Sequence, residues 1–217
     1  MPTFGAGGRA TDAASLGCRY MAAFHGLIDQ ARVRGGEWVA VHGAGGGMGL
    51  AAVQIAVAVG ANVVAVDISE DKLAAARELG AVRTVHAGRD EPAEAIRELT
   101  GGGAHVSVDA VGLAATCRAS VRSLRIRGRH LQLGHTTPAE RGEVALPIDV
   151  MMIRELEFLS AFGMAGQRFG TMLNMIEAGR LEPGKVVSRT VGLAQAGEVL
   201  RSMESYGTLG VVVIDQF

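Results

Sequence analysis

Cysteine is scarce in this sequence, with only Cys18 and Cys117 among 217 residues. That excludes a disulfide framework and a structural zinc module, which need several cysteines at paired spacing, and it suits reduced thiols in a cytoplasm. An excess of charge of one sign is also absent, since 21 Lys and Arg stand against 22 Asp and Glu. With 4% aromatic residues and no basic stripe, nucleic acid is not an expected partner. No apolar run reaches the ~20 residues of a membrane-spanning helix. The longest, from Leu50 to Val66, is broken by Gln54, Gly60 and Asn62. The opening MPTFGAGGRA lacks a charged start followed by an apolar stretch, so no secretory signal is expected. Residues 1–11 read as a flexible tail.

What is present is a globular composition, 48% hydrophobic and 20% charged, in a chain long enough for one large domain plus a small appendage. Thr11 or Asp12 is placed to cap a helix running to about Arg32, with Leu16, Tyr20, Phe24 and Leu27 on one face. Then short apolar runs alternate with helical stretches: WVAVHG, GLAAVQIAVAVG, NVVAVD, EDKLAAARELG, RTVHA, EPAEAIRELTG and HVSVDAVG. The strands do not alternate apolar with polar residues, which is the pattern of a sheet covered on both faces. Strand and helix in turn predict an α/β fold, a doubly wound parallel sheet. Further on come a helix over 114–123, the strand RHLQLG, the irregular HTTPAERGEVALP and a sixth strand in LEFLSAFG. A helix to Ala178, VVSRTV, a helix near 194–203 and LGVVVI close the chain. The expected division is a dinucleotide-binding domain with its leading helix over 12–190 and a small helix-strand remnant over 191–217.

The segment VAVHGAGGGMGLAAVQIAVAVGANVVAVD leaves a strand, turns through glycines and opens a helix. Such a turn presents free N–H groups and the positive end of the helix dipole, both suited to a phosphate. Gly43, Gly46, Gly47 and Gly49 suit the tight turn, the close approach of phosphate and the packing of helix on strand. Asp67 ends the next strand, where a carboxylate accepts hydrogen bonds from a ribose diol and repels a 2′-phosphate. That favours NAD over NADP, with Arg83 and Arg89 as the residues that could reverse the preference.

Four stretches together resemble the cofactor-binding part of the medium-chain dehydrogenase/reductase superfamily, the zinc-type alcohol dehydrogenases and quinone reductases. They are AASLGCRYMAAFHGL, GEWVAVHGAGGGMGLAAVQIA, GANVVAVDISEDKLAAARELGA, and GGGAHVSVDAVG with the later RHLQLG. The resemblance implies that Asp67 and Lys72 meet the adenosine ribose and that Gly46, Gly47, Met48 and Gly49 meet the pyrophosphate. Leu133 and Gly134 would line the nicotinamide, and Ala161 and Gly163 would offer backbone groups to its carboxamide. Cys18 matches the third catalytic zinc ligand of zinc-type members. Ala22 replaces the threonine that alcohol dehydrogenases carry four residues after that cysteine. The family's preceding catalytic region, with the remaining zinc ligands, is not in this sequence, so a zinc site is not expected. The sixth strand would pair with a second subunit, giving a two-fold dimer.

The six histidines are scattered, without an i, i+4 pair among them and without an acid at metal-ligand spacing. His42 and His105 read as satisfied structural residues, and Asp109 as a cap or turn residue. His135, at the carboxyl end of the fifth strand, is the candidate for proton exchange, with Cys18 the other candidate catalytic group. Three readings stay open. The first is an NAD(H)-dependent oxidoreductase, or part of one, acting on a carbonyl or activated alkene of a small molecule, with a companion chain supplying the rest. The second is a cofactor-binding module, pseudoenzyme or partner subunit, and the third an enzyme with a non-redox reaction.

Overall fold

The computed structural model describes residues 10–203 and 207–217. The apolar runs form a parallel sheet of β1 (Trp38–His42), β2 (Asn62–Asp67), β3 (Arg83–His86), β4 (Ala104–Asp109), β5 (Leu124–Gln132) and β6 (Glu157–Ser160). Their order is β3-β2-β1-β4-β5-β6. The chain moves outward from β1 to β3, then returns to place β4 beside β1. In such sheets ligands bind at the carboxyl ends of the strands where the order reverses.

The leading segment contains α1 (Ala10–Ser15), a π-turn at Leu16–Tyr20, α2 (Met21–Phe24) and a π-helical stretch at His25–Gln30. It is not the single helix expected, because Gly17 (φ −52°, ψ −174°) breaks it. Ala10 and Thr11 are already helical, so Thr11 and Asp12 lie inside α1 rather than capping it. The rest of the expected tail lies outside the described residues. The crossovers are α3 (Gly47–Ala58), α4 (Glu70–Glu78), α5 (Pro92–Leu99) and α6 (Ala114–Arg122). Three of them end at a glycine in the left-handed region, Gly60, Gly80 and Gly101, as C-terminal capping requires. Beyond the irregular loop lies α7 (Ile148–Ile153), unforeseen because six residues are too few to show a helical period. Then follow β6 and α8 (Phe169–Glu177).

The C-terminal unit is a second parallel pair, β7 (Val187–Gly192) and β8 (Val211–Gln216), joined through α9 (Ala196–Met203). It begins at Val187, a few residues before the expected boundary. Two contacts tie the segments flanking these strands to α3 and to the turn before it. Gln54 donates to the Glu182 carbonyl and accepts from the Glu182 N–H, both at 3.0 Å. Gly210, just before β8, bridges to Gly46 and donates to the Gly45 carbonyl at 2.8 Å.

The two faces of the sheet differ. Val39, Val41, Val63, Ala65, Val106, Val108 and Leu131 belong to the main apolar core with α3 and the leading helices. Opposite, Ala40, Val64, Val66, Val85 and Ile96 form a smaller core, and beside it lies a buried polar patch. There Ser120 Oγ donates to Ser107 Oγ at 2.8 Å and meets His130 Nδ1 at 2.9 Å. His130 Nε2 reaches Gln132 Oε1 at 3.0 Å, and Gln132 Nε2 donates to Asp109 Oδ2 at 3.0 Å. A hydrogen-bonded chain thus runs under α6 to the carboxyl end of β4.

Candidate cofactor-binding site

The glycine turn is fixed largely by backbone bonds. Gly43 and Ala44 donate to the Val66 carbonyl at 2.9 and 3.0 Å, and Gly46 donates to the Gly43 carbonyl at 3.2 Å. Gly43 needs its positive φ of 76°. Gly49 is required by space, since a Cβ there would lie 2.1 Å from the Gly43 carbonyl oxygen. Gly46 caps α3 with extended backbone, and the first amides of the helix, Gly47, Met48 and Gly49, follow at its positive end.

Asp67 is buried at the end of β2. Its Oδ2 accepts from Gly45 N–H at 3.0 Å and its Oδ1 from Ile68 N–H at 2.8 Å. The carboxylate therefore holds the turn in place, and its remaining lone pairs stay available to hydroxyl donors. Lys72 lies across the turn, because a Cβ on Gly45 would come 2.2 Å from Lys72 Cβ. Gly45, absent from the expected set, is thus the glycine that admits the lysine stem.

Sequence reasoning also missed Arg19 and Ile68. A Cβ on Gly47 would lie 3.1 Å from Arg19 Nη1, 2.9 Å from Val211 Cγ2 and 3.0 Å from the Gly210 carbonyl oxygen. Gly47 is therefore where the C-terminal unit closes on the turn, and Arg19 stands at the start of α3. Among the described residues no carboxylate pairs with Arg19; its Nη2 reaches Met203 Sδ at 3.8 Å. A cation beside the positive end of a helix is favourable once an anion lies between them. Ile68, 66% exposed beside Asp67, offers an apolar face at the same edge. Only its place directly after the carboxylate could have signalled it.

The other end of the crevice gathers the remaining candidates. Leu133 and Gly134 donate to the Asp109 carbonyl at 3.0 and 2.9 Å, and Ala161 donates to the Gln132 carbonyl at 3.3 Å. Gly134 packs against the Val111 and Gly112 backbone, where a Cβ would approach within 2.4 Å. Leu133 and Ala161 pack on Gly26 of the leading segment. Gly163 has φ 64°. His135 is exposed and meets Phe162 edge-on, with ring centroids 5.6 Å apart.

Asp109 is a turn residue: its Oδ1 accepts from Val111 N–H, Gly112 N–H and Thr116 Oγ. His105 is hydrogen-bonded, accepting from Trp38 N–H at 2.9 Å. His42 departs from expectation, being buried with an Nε2 that finds no hydrogen-bond partner among the described residues. Burial pushes its pKa down to about 4, against the opposing pull of Asp109 and helped by His130. Asp29 is an acid four residues after His25 that the sequence reading passed over. It lies 2.8 Å from His25 Nδ1 and also pairs with Arg168. Burial raises the Asp29 pKa, but those two partners outweigh it and leave the group lowered.

Cys18 is exposed, and among the described residues no three His, Cys, Asp or Glu side chains come together as metal ligands. One thiolate does not make a zinc site, which takes three or four protein ligands. The described residues therefore do not fit zinc. They do fit a dinucleotide, with the helix start, Arg19, Lys72 and Asp67 around one turn.

Residues 47–178 match the family described as zinc-binding dehydrogenase. The chain belongs to that family. The chain is 28% identical over 207 residues to the NAD-dependent alcohol dehydrogenase of Sulfurisphaera tokodaii, covering 94% of the chain and 58% of that relative. It is 34% identical over 206 residues to the spectinabilin polyketide synthase system protein NorB of Streptomyces orinoci, covering 93% of the chain but 9% of that protein. Among solved structures, an NAD-dependent alcohol dehydrogenase superposes with a TM-score of 0.85 at 32% identity, over 94% of this chain and 58% of that one. An alcohol dehydrogenase from a Thermus species gives 0.86 at 26% identity, over 99% and 61%. The chain thus spans little more than half the length of these alcohol dehydrogenases.

Proposed function

We propose that the chain binds NAD(H) and forms the cofactor-holding part of an oxidoreductase acting on a carbonyl or activated alkene of a small molecule. The observation that carries this reading is the convergence of Asp67, Lys72 and Arg19 on one glycine turn at the sheet's switch point. Relatives named NAD-dependent alcohol dehydrogenase and acryloyl-coenzyme A reductase support both substrate classes. The nicotinamide supplies the hydride chemistry, and the protein supplies binding and orientation.

Asp67 holds the adenosine ribose while its charge disfavours a 2′-phosphate. The two arginines that could reverse this are engaged elsewhere, Arg89 with Glu70 at 2.8 Å and Arg83 with the Val82 carbonyl at 2.8 Å. Arg19 and the first amides of α3 hold the pyrophosphate. Leu133, Gly134, Ala161 and Gly163 bound the nicotinamide end, and His135 exchanges a proton with substrate there. A companion chain supplies the substrate cover. Two copies pair along the outer edge of β6, where Met152, Ile153 and Phe162 are exposed nearby. The free thiols suit a cytoplasmic setting, and no helix among the described residues is long and apolar enough to cross a membrane.

Calorimetric titration of the chain with NADH and NADPH tests the reading. NADH is expected to bind more tightly than NADPH, and Asp67→Ala to reduce that preference. Binding of neither nucleotide by the folded chain would overturn it.

A further inference from the structure

A second polar cleft lies at the amino ends of the strands, opposite the glycine turn, with a volume of about 420 Å³. It is shaped by an irregularity in β5. Register passes from Ala104 opposite Leu124 to Val106 opposite Arg129, so residues 125–128 bulge out of the sheet. The bulge is firmly held: Arg127 N–H donates to the Arg154 carbonyl at 2.7 Å. A Cβ on Gly128 would come 2.8 Å from Leu124 Cβ, and one on Gly103 would come 2.5 Å from Arg125 N. Arg127 itself sits at φ 59°, a conformation costly for a side chain other than glycine. Bulges of this kind re-aim side chains, and here they present arginines.

Several charges around the cleft are already balanced. Arg32 pairs with Glu157, Arg129 with Glu37, and Arg127 with Glu155. Arg34 and Arg125 have no carboxylate partner among the described residues. Arg125 Nη1 instead lies 2.7 Å from His105 Nε2. That contact lacks an acceptor. His105 Nδ1 accepts the Trp38 N–H at 2.9 Å, so the proton of the neutral ring is on Nε2, and Nε2 and the guanidinium both donate. Burial foremost, and then Arg125, lower the His105 pKa, which keeps the ring neutral. The two donors face each other across 2.7 Å, a repulsive contact that an acceptor oxygen lodged beside both would relieve, and a second unbalanced arginine lines the same cleft.

The geometry points to this cleft as a binding site for a phosphoryl group, free or as a monoester of a small molecule, held by Arg34, Arg125 and the His105 Nε2–H. A phosphoryl group carries about 1.5 to 2 negative charges at neutral pH and several acceptor oxygens, which matches two cations and a neutral donor. The site is independent of the nucleotide reading, since it lies at the other end of the strands.

The test is an NMR titration of the full chain with inorganic phosphate, following the His105 ring resonances, with malonate as a dianion of different shape. Phosphate is expected to give a saturable shift, at least about fivefold tighter than malonate. The exposed double substitution Arg34→Ala, Arg125→Ala is expected to weaken it at least about tenfold, with the fold checked by circular dichroism. Arg19→Ala with Lys72→Ala, at the glycine turn, is expected to leave it unchanged. No saturable shift, malonate binding as tightly as phosphate, a shift that survives the arginine double substitution, or one abolished by the glycine-turn pair would each overturn the assignment.

Discussion

Acidification tests the buried polar patch through His42. In the unfolded chain this imidazole takes a proton near the ordinary value of 6.5, whereas burial holds it to about 4 in the fold. Between those values the unfolded state binds more protons, so stability rises with pH. The contribution is fully present above the unfolded value and is lost as pH falls through the folded one. A displacement of about 2.5 units corresponds to about 3 kcal/mol when fully expressed. Roughly 2 kcal/mol of this is gone by about pH 5. His130 adds a loss of the same sign, because burial lowers its pKa as well. The assay is urea denaturation at a series of pH values for the chain and for His42→Leu. The variant is expected to lose His42's share of the slope and keep that of His130. It also removes a buried Nε2 without a partner, an arrangement that costs about 1–3 kcal/mol. Parallel pH profiles for the two proteins would refute the reasoning, since they would mean that His42 is as easily protonated in the fold as outside it.

Two further outcomes follow from the crevice and from the sheet edge. Arg19→Ala is expected to weaken NADH binding by roughly five- to tenfold at low ionic strength, and by less as salt is added, because an exposed guanidinium–phosphate contact is screened. Calorimetry at two salt concentrations checks this, and unchanged affinity at both would remove Arg19 from the cradle. Ser160→Pro is expected to convert the proposed dimer to a monomer in light scattering. Ala161 N–H bonds inward to Gln132, so in a strand the Ser160 N–H faces the outer edge, where proline withdraws a donor without touching the β5–β6 ladder. A Ser160→Pro chain that keeps the dimer mass would exclude pairing through that edge.

The parts of the fold that were legible in the sequence are those governed by neighbours along the chain. The strand NVVAVD occupies Asn62–Asp67 as read, because an apolar run between Gly60 and a helix-opening acidic pair has few alternatives. The glycine turn was legible for the same reason: strand, turn, helix and distal carboxylate are all set by local spacing. The break at Gly17 was not legible, since residues on both sides continue a helical period and only the backbone of that glycine departs from it. Nor were the contacts that join distant segments. Arg19 reaches Gly47 across 28 positions, Val211 reaches Gly47 across 164, and Arg125 meets His105 across 20, so no local pattern brings them together.

His42 shows why this division matters for function. Alternation along β1 sends Val41 to the apolar core and His42 to the opposite face, a step the sequence supports. Whether that face holds a partner for Nε2 depends on β4, β5 and α6, which supply Asp109, His130 and Ser120 from positions 67 or more residues away. The neighbouring strands close a hydrogen-bonded chain from Ser107 to Asp109 that bypasses His42. A residue that reads as an ordinary satisfied core histidine therefore has an Nε2 without a partner among the described residues, directly before the glycine turn. Its neutral state keeps a positive charge out of the interior beneath that turn. Protonation would place that charge beside Asp109, whose Oδ1 orders the Val111 and Gly112 amides against Gly134. The loss of stability expected on acidification is thus expected to loosen the Gly134 end of the crevice as well as the fold.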